Sequence, residues 1–257
     1  MSILSDLVAM SNHLGEPGGD CAILGEGNTS ARLDERTFYV KGSGCSLSTM
    51  GEGDFVHLDF ARILSLMAGE VADEVRIKAV YEEAKVDPAQ KRRPSVETLF
   101  HAVLLGYPGV TVIAHTHPTA INSLTCSPRW REHLAGRMFP DEAVVLGRDA
   151  VFVPYVDPGV VLARTIKEGV DAYRERHREV PKTVYMQNHG FIALAANPTE
   201  ARNITAMAVK AARIRLGALA AGGINLLPAE VIDHLLARPD EKYRAQALSG
   251  PAPARAP

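Results

Sequence analysis

Apolar residues recur at helical spacing from the first residues of the chain. Ile3, Leu4, Leu7, Val8 and Met10 fall on one side of a helix over residues 1–15, which Gly15 ends. Short β-like runs follow and predict strands over 21–24, 30–33, 37–40 and 55–58, punctuated by Gly25, Gly27, Gly42 and Gly44. Residues 60–67 fit either a strand or a short helix. Pro94 then marks the first turn of a helix running through Glu97, Leu99, Leu104 and Leu105 to Gly106. The apolar, β-branched run 110–117 predicts a strand that Pro118 cuts off, and 144–155 supplies one or two more. A helix is expected over 160–176. A strand is expected over 183–189 and continues over 191–195 beyond Gly190. A long alanine-rich helix begins at Thr199.

Strands clustered early, with helices interspersed and no repeat or linker, describe one α/β or α+β sandwich domain spanning residues 1–250. The tail 251–257, PAPARAP, is low in complexity and expected to be disordered. A length of 257 residues with 46% hydrophobic positions is enough for a single sizeable core. A formal charge of −2 gives no electrostatic reason to expect nucleic acid, which selects for a strongly basic face. The basic run Lys91-Arg92-Arg93 is only three long and reads as a solvated loop before it reads as an anion site. Cys21, Cys45 and Cys126 lack the spacing of a disulfide framework or a metal knuckle, so reduced thiols are expected. Asp6 and the lack of a basic leading region argue against a signal peptide. Lys210, Arg213 and Arg215 sit in the middle of the most apolar stretch, 204–224, where a bilayer would make them costly, so it reads as a packed helix. A cytoplasmic protein with no membrane partner is the expectation.

Candidate chemistry concentrates in Ala114-His115-Thr116-His117-Pro118. Side chains at i and i+2 of a strand share a side, about 6 to 7 Å apart at the backbone, so two imidazoles there can close onto one ion. The pair alone is equally consistent with surface or core histidines. His189, in Asn188-His189-Gly190 at another strand end, raises the number of candidate ligands to three, the usual protein complement of a catalytic zinc site. Glu97 is the candidate carboxylate, either ligand or general base, or else merely a residue favoured by the helix dipole. His101 lies one turn further on, as a supporting contact or a plain helix-surface neighbour. The glycine-rich elements Gly25-Glu26-Gly27-Asn28-Thr29-Ser30 and Gly42-Ser43-Gly44 match neither GxxxxGK[ST] nor GxGxxG; each is either an anion-facing loop or a β-turn.

Taken in order, Gly27-Asn28-Thr29-Ser30, Ser43-Gly44, Ser95-x-Glu97, His115-x-His117 and Asn188-His189-Gly190 resemble the class II aldolase/adducin family, from about Gly19 to Ala221. Lys41-Gly42-Ser43-Gly44 looks closest to the branch with rhamnulose-phosphate aldolase domains. The resemblance implies an αβα sandwich around a mostly antiparallel sheet. It implies a divalent ion, zinc before manganese or iron, held by His115, His117 and His189, with Glu97 as acid/base. It places Asn28, Thr29, Ser43, Gly44 and Ser95 on a small-molecule substrate. Val96 stands where the family's second phosphate-binding serine would be, which points to a non-phosphorylated or carboxylate-bearing substrate. The implied reaction is retro-aldol cleavage through a metal-stabilised enediolate, with decarboxylation of a hydroxy or keto acid second. Epimerases, dehydratases and the non-catalytic adducin head rank lower, since Glu97 and all three histidines are present. Tyr155, Tyr185 and Tyr243 are candidate proton donors, and a homotetramer is expected on resemblance.

Overall fold

The computed structural model describes residues 2–249, so the 251–257 tail lies outside the described residues. Ser2 caps helix α1 (Ile3–Leu14) by accepting from the Ser5 amide, and Leu7, Met10 and Leu14 face inward. The sheet strands are β1 (Asn28–Arg32), β2 (Thr37–Lys41) and β3 (Phe55–Asp59), then β4 (Val112–Thr116), β5 (Val151–Val153), β6 (Thr183–Met186) and β7 (Gly190–Ala195). Between β3 and β4 come α2 (Phe60–Leu64), α3 (Glu74–Glu83) and α4 (Thr98–Leu105). Three short helices, α5 (Thr119–Thr125), α6 (Trp130–Leu134) and α7 (Pro140–Leu146), separate β4 from β5. Helix α8 (Val160–His177) precedes β6, and α9 (Pro198–Ala220), α10 (Ala229–Ala237) and α11 (Pro239–Ser249) follow β7.

The strand order is β3-β2-β1-β4-β7-β6-β5, and every pairing is antiparallel except β5 with β6. Side chains alternate between two cores. Phe38, Val40, Ile113, Ile192 and Leu194 join one with residues of α2, α4 and α8. Ala31, Val112, Ala114, Phe191 and Ala193 join the other with residues of α1, α5 and α9. The result is the αβα sandwich around a mostly antiparallel sheet that the resemblance implies. Strands β4 and β7 are buried along their whole length, as their unbroken apolar runs require.

Several boundaries differ from the sequence expectation. Residues 21–24 form no strand: Leu24 adopts a left-handed φ of 51°, and the Glu26 carboxylate accepts from the Ile23 amide, closing a turn. Pro94 sits in an isolated bridge with Gly42, and the helix begins only at Thr98, with Glu97 as its N-cap. The ambiguous 60–67 segment is helical. The 144–155 segment is the end of α7 plus the three-residue β5. Residues 183–195 are a hairpin, because Asn188 takes φ 53° and reverses the chain. One charge inside the alanine-rich helix has a local purpose: buried Arg215 donates to the Glu142 carboxylate at 2.9 Å and to the carbonyls of His133, Ala135 and Gly136. Among the described residues, no helix is long and apolar enough to cross a membrane.

Candidate metal centre

The register places Asn28 of β1 directly opposite His115 of β4, with Ile192 of β7 on the other flank. His115 is fully buried, and its Nδ1 lies 3.0 Å from the Phe191 carbonyl oxygen. A carbonyl only accepts, so Nδ1 carries the hydrogen and the Nε2 lone pair points away from it. His117, just past the strand end, does the same with a different acceptor: its Nδ1 lies 3.1 Å from Glu26 Oε2. The two Nε2 atoms consequently face each other at 2.9 Å. Two lone pairs at that separation repel unless something positive lies between them.

His189 completes the triangle from the β6–β7 turn. The ring centroids of the three histidines stand 4.7, 5.0 and 5.2 Å apart, and one nitrogen from each lies within 4.8 Å of the others. Asn122 donates to the His189 carbonyl at 3.1 Å and steadies the turn from α5. Gly190 follows because β7 starts against the cluster: a Cβ there would come within 2.7 Å of the His117 ring and of the Thr116 carbonyl oxygen.

Glu97 closes the site, with Oε2 3.3 Å from His115 Nε2 and Oε1 3.2 Å from His189 Nε2. Burial opposes its ionisation, but His115 and His189 outweigh that and hold the carboxyl well below the usual range. Burial likewise works against protonation of His115, and Glu97 overcomes it to raise that ring. Burial and the facing rings of His115 and His189 push His117 down to about 3, so it stays neutral and free to ligate. Glu97 Oε1 is buried without a well-aligned hydrogen-bond donor. Three convergent imidazole nitrogens and one orphaned carboxylate oxygen suit a divalent cation with nitrogen and oxygen ligands.

Asn28 and Ser95 build the floor beneath Glu97. The Asn28 amide donates to Glu97 Oε2 at 2.7 Å and to Ser95 Oγ at 3.0 Å, and Ser95 Oγ also accepts from the Glu97 amide. Both Asn28 hydrogens are therefore committed to the site itself, whereas the resemblance places this residue on substrate. Asn28 Oδ1 bonds His101 Nε2, and His101 Nδ1 meets Ser30 Oγ at 2.6 Å. His101 is thus a buried support of the site and not a surface neighbour. Thr29 points to the opposite face, as alternation demands, and its hydroxyl lies 2.7 Å from Ser11 Oγ under α1. The Thr29 side chain therefore faces away from the cluster. Ser43 and Gly44 lie exposed on a loop tied down by the Ser43 amide donating to the Arg93 carbonyl at 2.7 Å.

Two contributors carry no signal in the sequence. Glu26 reads there only as part of a glycine-rich loop, yet it orients His117. Lys41 is buried and donates from Nζ to the Gly25 and Gly27 carbonyls, both at 2.7 Å, fixing the loop that carries Glu26. Partners that hold a ligating histidine typically contribute 10- to 100-fold to metal affinity. Glu26→Ala is therefore expected to weaken binding of a divalent ion by roughly 10- to 100-fold, measured by competition with a chromogenic chelator. Unchanged affinity would remove Glu26 from the site.

Of the tyrosines, Tyr185 is buried in the core against Phe191 and Tyr243 is exposed on α11. Tyr155 is the one tied to the site's own turn: its amide donates to Gln187 Oε1 at 3.3 Å, two residues from His189.

The chain belongs to the class II aldolase and adducin N-terminal domain family, whose model matches residues 5–216. It is 33% identical over 197 residues to a Bacillus subtilis (strain 168) protein named uncharacterized oxidoreductase YuxG, an alignment covering 74% of this chain and 26% of that protein. The chain thus spans about a quarter of the length of that curated relative. Among solved structures, the N-terminal class II aldolase domain of a conserved Thermoplasma acidophilum protein superposes with a TM-score of 0.67 at 25% identity, covering 84% of this chain and 94% of that one. An L-fuculose 1-phosphate aldolase superposes with a TM-score of 0.69 at 21% identity, covering 94% and 96%. The three-histidine cluster lies within the residues that the family model matches.

Proposed function

We propose that this chain is a divalent-metal-dependent carbon–carbon lyase that cleaves a hydroxy-carbonyl compound by retro-aldol chemistry. His115, His117 and His189 would hold the ion, with Glu97 as acid/base. The observation that carries the reading is the convergence of the three rings beside the unbonded Oε1 of Glu97. A divalent ion there, zinc by ligand type with manganese or iron also suited, would act as a Lewis acid and spread the negative charge left when a carbon–carbon bond breaks. The protein's own part is proton handling. Asn28 anchors Oε2 of Glu97, which leaves Oε1 turned to the cluster to take a hydroxyl proton and return it to the carbanion. Of the candidate tyrosines, Tyr155 is the one whose backbone amide bonds to the His189 turn, while its hydroxyl lies on Asp157. A cytoplasmic homotetramer is the assembly proposed from family resemblance.

Decarboxylation of a hydroxy or keto acid is the second reading, since it leaves the same carbanion. Val96 favours it by taking the place of a serine that would donate to a phosphate. The redox description in the Bacillus relative's name is that of a protein of which this chain matches 26%. The test is a screen of hydroxy-carbonyl compounds with chelator-free protein, following aldehyde and carbon dioxide separately. Aldehyde release without carbon dioxide supports the first reading, and carbon dioxide release the second. Neither product from any compound would refute both.

Val96 makes its own prediction. It is 64% exposed and its backbone carbonyl is already taken by the Tyr81 hydroxyl, so a side-chain exchange leaves the loop intact. For a short substrate with and without phosphate, the wild-type kcat/KM ratio should stay below about 100-fold, equivalent to about 2.7 kcal/mol. Val96→Ser should raise it by restoring a charge-assisted donor. A wild-type preference above that bound would contradict this reading of Val96.

A further inference from the structure

A cleft of about 890 Å³ opens between α3 and the 85–96 segment, and Val96 in its lining stands between Ser95 and Glu97 in the chain. Its lining also includes Ser43, the chain neighbour of Gly44. Apolar surface from Ile77, Pro88, Pro94 and Val96 lines its course. Four cations and two carboxylates face it, and the charges do not cancel. Lys78 pairs with Glu74 and Lys85 with Glu82, which accounts for both acids. Lys91 and Arg93 are left exposed at the cleft, and among the described residues neither side chain has an ion pair or hydrogen bond. Arg92, between them in sequence, is turned elsewhere onto Asp54.

We propose that this cleft holds the distal arm of the substrate: an apolar stem against Val96 and Pro94, ending in a carboxylate or phosphate that Lys91 and Arg93 bind. The inference rests on the lyase reading and names its substrate class. Val96 then has a positive role: in place of a hydroxyl facing a short phosphate, it offers apolar wall to a longer arm. The anion moves outward to the two cations. An apolar channel with a few convergent charged groups is the ordinary composition of a small-molecule site. Guanidinium and ammonium groups bind a terminal anion by charge-assisted hydrogen bonds.

Binding can be tested without turnover, by calorimetric titration of the full chain with phenyl phosphate, benzoate and neutral benzyl alcohol. At least one of the two anions should bind once per chain, at least about tenfold more tightly than benzyl alcohol. The Lys91→Ala/Arg93→Ala double variant should weaken that binding by about tenfold or more. Both side chains are exposed and unpaired, so the double variant should fold normally. Whichever anion binds more tightly identifies the terminal group. His115→Ala should leave anion affinity within about twofold while changing metal content, which separates this proposal from the lyase reading. Equal affinity in the double variant, equal affinity for benzyl alcohol, or no binding of either anion would overturn the proposal. So would loss of binding in His115→Ala, because the anion would then sit at the metal centre.

Discussion

Glu97→Gln is expected to leave the fold and much of the bound metal in place while lowering turnover by roughly 10²-fold or more, the usual scale of general acid–base catalysis. The geometry makes this variant a clean one. A glutamine can present its oxygen to the Asn28 amide, as Glu97 Oε2 does at 2.7 Å, so the side chain keeps its anchor. The Ser95 contact to the backbone amide of residue 97 is untouched. What the amide cannot do is accept and return a proton. Steady-state kinetics with elemental analysis on the same preparation check the result. A near-normal rate would reduce Glu97 to an N-cap residue. If the metal is lost as well, Glu97 acts chiefly as a ligand.

His115→Ala should cost the site its ion. The ring is fully buried at the centre of the sheet and fixed by the Phe191 carbonyl, so no neighbouring side chain can take its place. Removing a ligand should exceed the 10- to 100-fold cost of removing a ligand's supporting partner, so metal affinity should fall by more than about 10²-fold. His117→Ala and His189→Ala should act in the same way. His13→Ala, half exposed on α1, should keep the full metal content and is the natural control. Full occupancy in the His115→Ala protein would move the ion to another site.

The parts of the centre that obey a local rule are legible in the sequence. Two-residue alternation pairs His115 with His117, and the apolar run around them marks the central strand. The same rule, applied to Asn28 and Thr29, separates them: adjacent strand residues face opposite ways, and only Asn28 opposes His115. Glu26 is not legible, because nothing in local periodicity links it to His117, 91 residues away; the loop fixed by Lys41 does so. The hairpin at Asn188 reads as a continuing strand because both arms are buried and apolar, and a single left-handed residue between such arms leaves no composition signal. The partner of Arg215 is equally hidden. A charge in an alanine-rich helix shows that it must be compensated, but only packing against the 133–142 segment shows by what.

The measurement that bears most directly on the three-histidine centre is the X-ray absorption spectrum of the protein's bound ion, recorded on wild type and on His189→Ala. Wild type should show nitrogen and oxygen neighbours only, with the outer scattering of several imidazole rings and no sulphur. The variant should lose the ion or show diminished imidazole scattering. Sulphur among the neighbours, with Cys21 and Cys45 both buried in the same half of the chain, or an imidazole signal indifferent to His189, would contradict the assignment.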